Sequence, residues 1–334
     1  VARAVLHRLV QAPPEDLRVE AVRFAGGRFV LARRCMTGWL GLPEAEEDFE
    51  VEPRAGDVFL GLTWSPHAIP LAHATLRGYA DRGVRINFVV YDLLPQQHPE
   101  WFPFGLPQQH LGWLLSAAAT AERLIAISRD VADELGHWLD GYGPRRMSPL
   151  RIAHFPLGCD IEASAATRGL PDDHAALVAS LRARTTFLMV GTVEPRKGHR
   201  QAIAAFDALW RDGCDVALWI VGKRGWMTED VEAAIAVHPE LGKRLVRIDD
   251  ASDELLAILY AHAAALLATS QGEGFGLPIV EAARHRIAVI ARDLPVFREV
   301  AGDGAFYFRG EAPADLAAAI VAWLARAAAG DFRA

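Results

Sequence analysis

The chain has 334 residues and a formal net charge of −7, with 51% hydrophobic and 23% charged residues. This length and composition predict a globular protein of two ordinary domains, each with its own core. The negative charge argues against general nucleic-acid binding. The sequence contains no run of eighteen or more apolar residues, so no membrane-spanning helix is predicted. Cys35, Cys159 and Cys214 are far apart and fit neither a disulfide framework nor a zinc site, so a reducing cytoplasm is expected.

The first half of the chain alternates short apolar runs with amphipathic stretches. A helix is predicted over residues 1–10, at the start of the chain. Continuous apolar runs separated by helical patterns indicate a parallel sheet covered on both faces. Strands are predicted over 57–62, 85–91 and 123–128, and helical patterns lie near 67–82, 107–121 and 129–140.

A segment rich in turn residues, 141–149, separates the two halves, and a polar stretch then reaches residue 183. We place the domain boundary near residue 155, which gives domains 1–155 and 156–334. The second half repeats the alternation of strands and helices, so the chain is predicted to be an α/β protein. Its strands are predicted near 186–192, 216–221, 245–248, 264–268, 287–291 and 305–308.

Lysine is rare in this chain. Only Lys197, Lys223 and Lys243 occur among 35 basic residues, and the first two lie in glycine-bounded loops after predicted strands. A compact ammonium group at such a place suits a phosphate. Chance placement is the alternative interpretation.

Residues 273–281 read Glu-Gly-Phe-Gly-Leu-Pro-Ile-Val-Glu. The glycines allow the backbone to approach a ligand closely, and a helix that begins near Pro278 presents free N–H groups to an anion. Glu273 is expected in the loop and Glu281 about two helical turns further on. This segment therefore predicts a binding site for an elongated ligand.

This Glu-x7-Glu segment resembles the signature of retaining, nucleotide-sugar-dependent glycosyltransferases of the GT-B architecture, family 4. Three further stretches resemble the family in its order, so the resemblance covers roughly residues 155–310; they lie at 187–198, 218–226 and 293–305. The resemblance implies two Rossmann-like domains whose parallel sheets face across a cleft. The family opens with a strand and a glycine-rich loop, which we expect this chain to lack before its first helix.

The resemblance implies a donor site on the second domain. Arg196 and Lys197 would hold the diphosphate, in place of a metal, because the sequence has no Asp-x-Asp motif. Glu273 would contact the donor sugar, and Glu281 would bind the ribose hydroxyls, unless it is a simple helix-surface carboxylate. Gly191 would leave room for the nucleotide. Further donors or contacts are expected from Lys223 and from the backbone of Phe275, Gly276 and Leu277.

The first domain offers fewer candidates. Asp92 follows a buried strand at the carboxyl edge of the predicted sheet, where such folds place ligands, and is expected to face the cleft as a catalytic group. Members of the family often carry histidine where this chain has Tyr91, so the tyrosine weakens the transfer of a catalytic histidine role to this position. His67 is a candidate for contact with the acceptor or the sugar.

The resemblance implies a metal-independent, retaining hexosyltransferase without a cofactor, with GDP-mannose as the first donor candidate. The acceptor would be a saccharide or a lipid-linked saccharide in cell-surface polysaccharide synthesis. We expect a cytoplasmic protein, with peripheral contact to the inner face of the membrane and no nucleic-acid partner. Two alternatives stay open: a UDP- or dTDP-sugar donor, and a non-catalytic sugar-nucleotide-binding module of a larger synthase.

Overall fold

A computed structural model describes residues 2–32, 49–146, 148–158 and 169–330. Contacts divide the chain into a first unit, Val1–Gln97 with Phe104–Pro156, and a second unit, His98–Pro103 with Leu157–Ala334. The short segment His98–Pro103 thus groups with the second unit, although the sequence placed it in the first domain. Of the cysteines, Cys214 is a partly buried free thiol, and the other two lie outside the described residues.

The first unit is built on a parallel sheet of four strands in chain order, β3-β4-β5-β6. A separate antiparallel hairpin, β1-β2, precedes it. The strands are β1 Val22–Ala25, β2 Arg28–Leu31, β3 Val58–Gly61, β4 Arg85–Val90, β5 Arg123–Ala126 and β6 Arg151–His154. The helices are α1 Ala2–Gln11, α2 His73–Asp81, α3 Leu94–Gln97, α4 Leu106–Thr120 and α5 Arg129–Tyr142.

The predicted strands and helices of the first half are confirmed, and the hairpin, α3 and β6 are additions. The hairpin turns on Gly26 and Gly27, both at positive φ, a two-residue turn that glycine favours. Strand β4 is buried from Ile86 to Val90 because both faces of the sheet are covered, and Phe88 packs edge-on against Trp113 of α4.

The second unit contains a six-stranded parallel sheet in the order β12-β11-β10-β7-β8-β9. Its strands are β7 Thr185–Val190, β8 Val216–Val221, β9 Leu245–Ile248, β10 Ala265–Ala268, β11 Ala288–Arg292 and β12 Phe306–Phe308. Its helices are α6 His174–Arg182, α7 His199–Arg211, α8 Glu229–Ala236, α9 Asp253–His262, α10 Leu277–Arg284, α11 Pro295–Ala301 and α12 Pro313–Ala328.

All strands predicted for the second half are confirmed, and so is the α/β class. Helix α6 lies within the stretch that the sequence analysis described only as polar. It was not predicted because Leu181 is its single fully buried side chain. Alternate side chains of β7 pack into hydrophobic cores on opposite faces of the sheet. Phe187 and Met189 pack on the side of α7 and α12, and Leu188 packs on the side of α9 and α10. Helices therefore cover both faces of the sheet.

The strand order reverses between β7 and β10, which start the two halves of the sheet. In doubly wound sheets, the loops that leave neighbouring strands at such a point diverge and open a crevice at their carboxyl ends. No helix in the described ranges combines the length and the apolar character that crossing a membrane requires.

Candidate functional site

Two loops meet at the carboxyl ends of β7 and β10. The first, 191–198, ends in a short 3-10 turn, Pro195–Lys197, and the second runs over 269–276. Thr269 donates its hydroxyl hydrogen to the Lys197 carbonyl at 2.8 Å, and the Gln271 N–H donates to the Arg196 carbonyl at 2.7 Å. The backbone of one loop thus fixes the other.

Close packing of these loops depends on Gly198, which has a φ of 76°. A Cβ atom there would lie 2.6 Å from the Thr269 carbonyl oxygen, so a larger residue would push the loops apart. The glycine therefore lets the 3-10 turn approach the end of β10.

The side chains of the two loops form an ion-paired cluster around Glu273. Arg196 Nη1 lies 2.8 Å from Glu273 Oε2, and Lys197 Nζ pairs with Oε1. The Ser270 hydroxyl donates to the same Oε1 at 2.8 Å. A second carboxylate, Glu194, lies 2.7 Å from Arg196 Nη2. We call these five residues the Glu273 cluster; within it, two carboxylates face two cations.

The Glu273 side chain is only 10% exposed, and burial by itself would raise the pKa of its carboxyl group. The charges and hydrogen bonds of Lys197 and Arg196 outweigh burial and lower the pKa of Glu273 to about 2. Glu273 is therefore an ionised, buried carboxylate at neutral pH, and it stays ionised because of the two cations.

A small pocket lies against the cluster, and Lys197, His199 and Glu273 line it. Helix α10 starts at one side of this pocket. Its N-cap, Gly276, has a φ of 98°, and a Cβ atom there would lie 2.8 Å from the Phe297 ring. Because the first N–H groups of a helix have no intrahelical acceptor, this start favours an anion.

His199, the first residue of α7, is 4% exposed. Burial, then the charges of Lys197 and Arg247, lower its pKa to about 3, so the imidazole is neutral at neutral pH. Its Nδ1 has no hydrogen-bond partner among the described residues.

Glu281 lies on α10 and is held by a tyrosine of α9. Tyr260 donates its phenol hydrogen to Glu281 Oε2 at 2.8 Å, and its ring stacks on His285 at 5.4 Å. Burial raises the pKa of Glu281, and the bond from Tyr260 opposes this effect. Glu281 is thus a partly buried, oriented carboxylate.

The structure brings together Arg196, Lys197 and Glu273, with Phe275, Gly276 and Leu277 at the adjoining helix start. Phe275 itself is buried, so its backbone is the part that remains for a ligand. Gly191, with a φ of 138°, lies beside Lys197, whose Nζ is 3.7 Å from the place of a Cβ atom.

Lys223 lies apart from the cluster, exposed in the loop after β8, with its Nζ 3.7 Å from Asp250 Oδ1. That loop is joined to the first one, because Val193 N–H donates to the Lys223 carbonyl at 2.9 Å. Its Trp226 indole donates to the Trp101 carbonyl at 2.9 Å, within the second unit.

The first-unit candidates have local structural partners. Asp92 follows β4, and its Oδ1 accepts a hydrogen bond from the Leu94 N–H at 3.1 Å, at the start of α3. Tyr91 donates its phenol hydrogen to the Leu62 carbonyl at 2.6 Å. His67 is exposed in the turn that precedes α2.

Sequence reasoning missed four residues of the site. Glu194 and Ser270 stand inside the recognised loops, so their positions were available in the sequence. Tyr260 and His199 gave no signal of their own, because their roles depend on how α9 and α7 pack beside the loops.

Residues 179–329 match the family described as Glycosyl transferases group 1. The serotype-specific mannosyltransferase WbdA of Escherichia coli is 39% identical over 328 residues, which are 97% of this chain and 40% of WbdA. The O-antigen chain mannosyltransferase RfbU of Salmonella typhimurium is 33% identical over 121 residues, covering 36% of this chain and 33% of RfbU. The chain thus spans about two fifths of the length of WbdA.

Solved structures are similar in fold. Anabaena Alr3699/HepE in complex with UDP and glucose has a TM-score of 0.58 at 19% identity, over 80% of this chain and 68% of that one. Sucrose-phosphate synthase of Thermosynechococcus elongatus has a TM-score of 0.57 at 19% identity, over 80% and 64%. These similarities show the GT-B fold that the sequence predicted.

Proposed function

We propose that this protein moves a hexose from a nucleotide sugar to a saccharide acceptor, because residues 179–329 match the glycosyl transferases group 1 family. Mannose is the first candidate, since WbdA and RfbU are named mannosyltransferases. The name of RfbU also supports a role in cell-surface polysaccharide synthesis. The acceptor would be a saccharide or lipid-linked saccharide, met in the cytoplasm at the inner face of the membrane.

The Glu273 cluster is the observation that carries this proposal. Arg196 and Lys197 lie side by side at the strand-order reversal, next to the start of α10. Two fixed cations and a helix N-terminus suit a diphosphate better than a single phosphate or a neutral ligand. No cofactor besides the donor is part of the proposal.

Transfer breaks the bond between the anomeric carbon and a diphosphate oxygen, and negative charge develops on that oxygen. Arg196 and Lys197 would stabilise this charge from fixed positions. With retention, the acceptor oxygen bonds to the anomeric carbon on the same face, while the departing phosphate oxygen takes the acceptor proton. Glu273 would face the donor sugar, and Glu281, held by Tyr260, would face the ribose.

On the acceptor side, we keep Asp92 and His67 as candidates. Both stand at or near carboxyl ends of strands of the first sheet, where doubly wound folds bind ligands. The bond of Asp92 to the Leu94 N–H occupies one carboxylate oxygen and orients the group.

The test is calorimetric titration of the purified chain with GDP, UDP and dTDP, without divalent metal. We expect one diphosphate, GDP first, to bind. Lys197→Ala should weaken binding roughly 100-fold, since a charge-assisted hydrogen bond contributes up to about 3 kcal/mol. Lys243→Ala is the matched control, because this lysine is exposed and donates to the Pro239 carbonyl. It precedes the amino end of β9, whereas the site lies at carboxyl ends of strands of the same sheet.

Binding of UDP or dTDP alone would keep the transferase and change its donor. Diphosphate binding without sugar transfer to any acceptor would favour the non-catalytic module. Absence of binding, or equal binding by Lys197→Ala, would contradict the proposed site.

A further inference from the structure

The cations expected to hold the donor are already neutralised by carboxylates of their own chain. Arg196 bonds Glu273 and the Gly272 carbonyl through Nη1, and Glu194 through Nη2. Lys197 bonds Glu273 as well. Two positive and two negative groups thus balance within the Glu273 cluster. A diphosphate entering it would add negative charge to a site that holds no excess of positive charge.

We propose that a nucleoside diphosphate takes Arg196 and Lys197 from Glu273 and that the Glu273 carboxylate then takes up a proton from solvent. This inference rests on the proposed function, because it assumes that the diphosphate binds at these two cations. We call this exchange of the two cations from Glu273 to the diphosphate the handover. It makes Glu273 a competitor of the diphosphate, because Glu273 pairs with the cations before binding and pairs with them again when the product leaves.

Burial is the physical reason for the proton. Glu273 is 10% exposed, and its charged form is tolerated only because two cations face it. When phosphate oxygens share those cations and add their own negative charge, the ionised carboxylate loses the positive charge that offsets its burial. Ser270 donates to Glu273 Oε1 and adds no charge. A protonated Glu273 could donate a hydrogen bond to a sugar oxygen, which the carboxylate cannot do.

Other groups at the site compete for such a proton. His199, from the start of α7, is buried and neutral and is the strongest competitor, because added negative charge would raise its pKa as well. The other charged groups that pair within the cluster or contact its loops are Arg196, Lys197, Glu194 and Arg292 of β11, which donates to the Ser270 carbonyl. The charge of Lys197 also acts on Glu281 of α10.

The experiment is titration of the full chain with GDP at pH 6 and 7 in buffers that differ in ionisation enthalpy, which counts protons taken up on binding. The wild type is compared with Glu273→Gln, so that the protonation of GDP itself cancels in the difference. The exposed Asp172→Asn is the control for loss of an acidic side chain in the same unit.

We expect the wild type and the control to take up more protons than Glu273→Gln, by a difference approaching one at pH 6. Glu273→Gln should also bind GDP at least tenfold more tightly at pH 7, because the competing carboxylate is gone. Equal proton counts, or weaker binding by Glu273→Gln, would overturn the handover. The handover would also be overturned if His199→Gln lost the extra proton uptake while Glu273→Gln kept it, because His199 would then be the group that takes up the proton.

These outcomes are separate from failure of the proposed function. If GDP, UDP and dTDP all fail to bind the wild type, the donor site is wrong and the handover falls with it. If one of them binds and Lys197→Ala weakens it, the site stands, and the proton counts and the affinity of Glu273→Gln decide the handover. UDP or dTDP then replaces GDP as the probe.

Discussion

The tetrapeptide Phe-Gly-Leu-Pro occurs in both units, at residues 104–107 and 275–278, and begins a helix each time. The glycine is the N-cap in both copies, with φ of 87° at Gly105 and 98° at Gly276. The local sequence therefore gives the same turn in two different settings. The settings differ: Phe104 is fully exposed, whereas Phe275 is 5% exposed.

The residues around the two copies differ in charge. Glu273 stands two residues before Phe275, whereas Phe102 stands two residues before Phe104. Three residues after the proline, the second copy has Glu281 and the first has His110. A helix start with a left-handed glycine is thus a common local structure, and the paired charges beside it make it a candidate site.

The largest expected difference concerns the two phenylalanines. Phe275→Ala should lower the free energy of unfolding of the second unit by about 3–5 kcal/mol, the usual cost of removing a buried ring. Phe104→Ala should change the stability of the first unit by less than about 0.5 kcal/mol, because that ring is exposed. Urea unfolding followed by hydrogen exchange of β4 and β10 peptides would measure both. Similar losses in the two variants would contradict the comparison.

A smaller difference is expected between the two glycines. Gly105→Ala would pay only for a positive φ, about 1 kcal/mol, because a Cβ atom there meets nothing within 4 Å. Gly276→Ala carries the same strain and also places its Cβ 2.8 Å from the Phe297 ring, so about 2–3 kcal/mol is expected.

Thermal unfolding of the two glycine variants, with GDP titration of each, checks this prediction. Gly276→Ala should also weaken GDP binding, since it displaces the start of α10, whereas Gly105→Ala should leave it unchanged. Equal stability in the two variants would show that Phe297 moves aside freely.

The fold was largely predictable, because its strands are continuous apolar runs bounded by turns. The β1-β2 hairpin was missed although Gly26-Gly27 between apolar residues is a recognised hairpin signal. Strand β6 carried no such signal, since all four of its residues are exposed.

The site was predictable in part. Arg196, Lys197 and Glu273 were chosen from their loops and from the family resemblance. That these loops touch depends on β7 lying beside β10, which no periodicity in the sequence encodes. The sequence also led us to assign each charge to a ligand, whereas in the structure the charges pair with each other. Tyr260 was not predictable, because it reaches Glu281 from a helix 21 residues earlier.

The last comparison is one of pH dependence and concerns His110 and Glu281, which occupy the same place after the two prolines. Burial lowers the pKa of His110 to about 4, so the folded first unit binds fewer protons than the unfolded chain between pH 6.5 and about 4. Its stability should fall as the pH falls through that window, by up to about 1.4 kcal/mol per pH unit. His110→Gln should remove this slope.

Glu281 should act in the opposite direction. Burial raises its pKa above 4.5, so the folded second unit binds more protons than the unfolded chain just above that pH. Its contribution to stability is therefore lost as the pH rises through the folded pKa, and a charged Glu281 costs stability at pH 7. Glu281→Gln, which can still accept the Tyr260 hydrogen bond, should stabilise the second unit at pH 7 and leave it unchanged at pH 4. Hydrogen exchange of β4 and β10 peptides between pH 4 and 7.5, corrected for intrinsic rates, measures both slopes. If Glu281→Gln instead destabilises the second unit at pH 7, the Tyr260 bond to the charged carboxylate outweighs its burial.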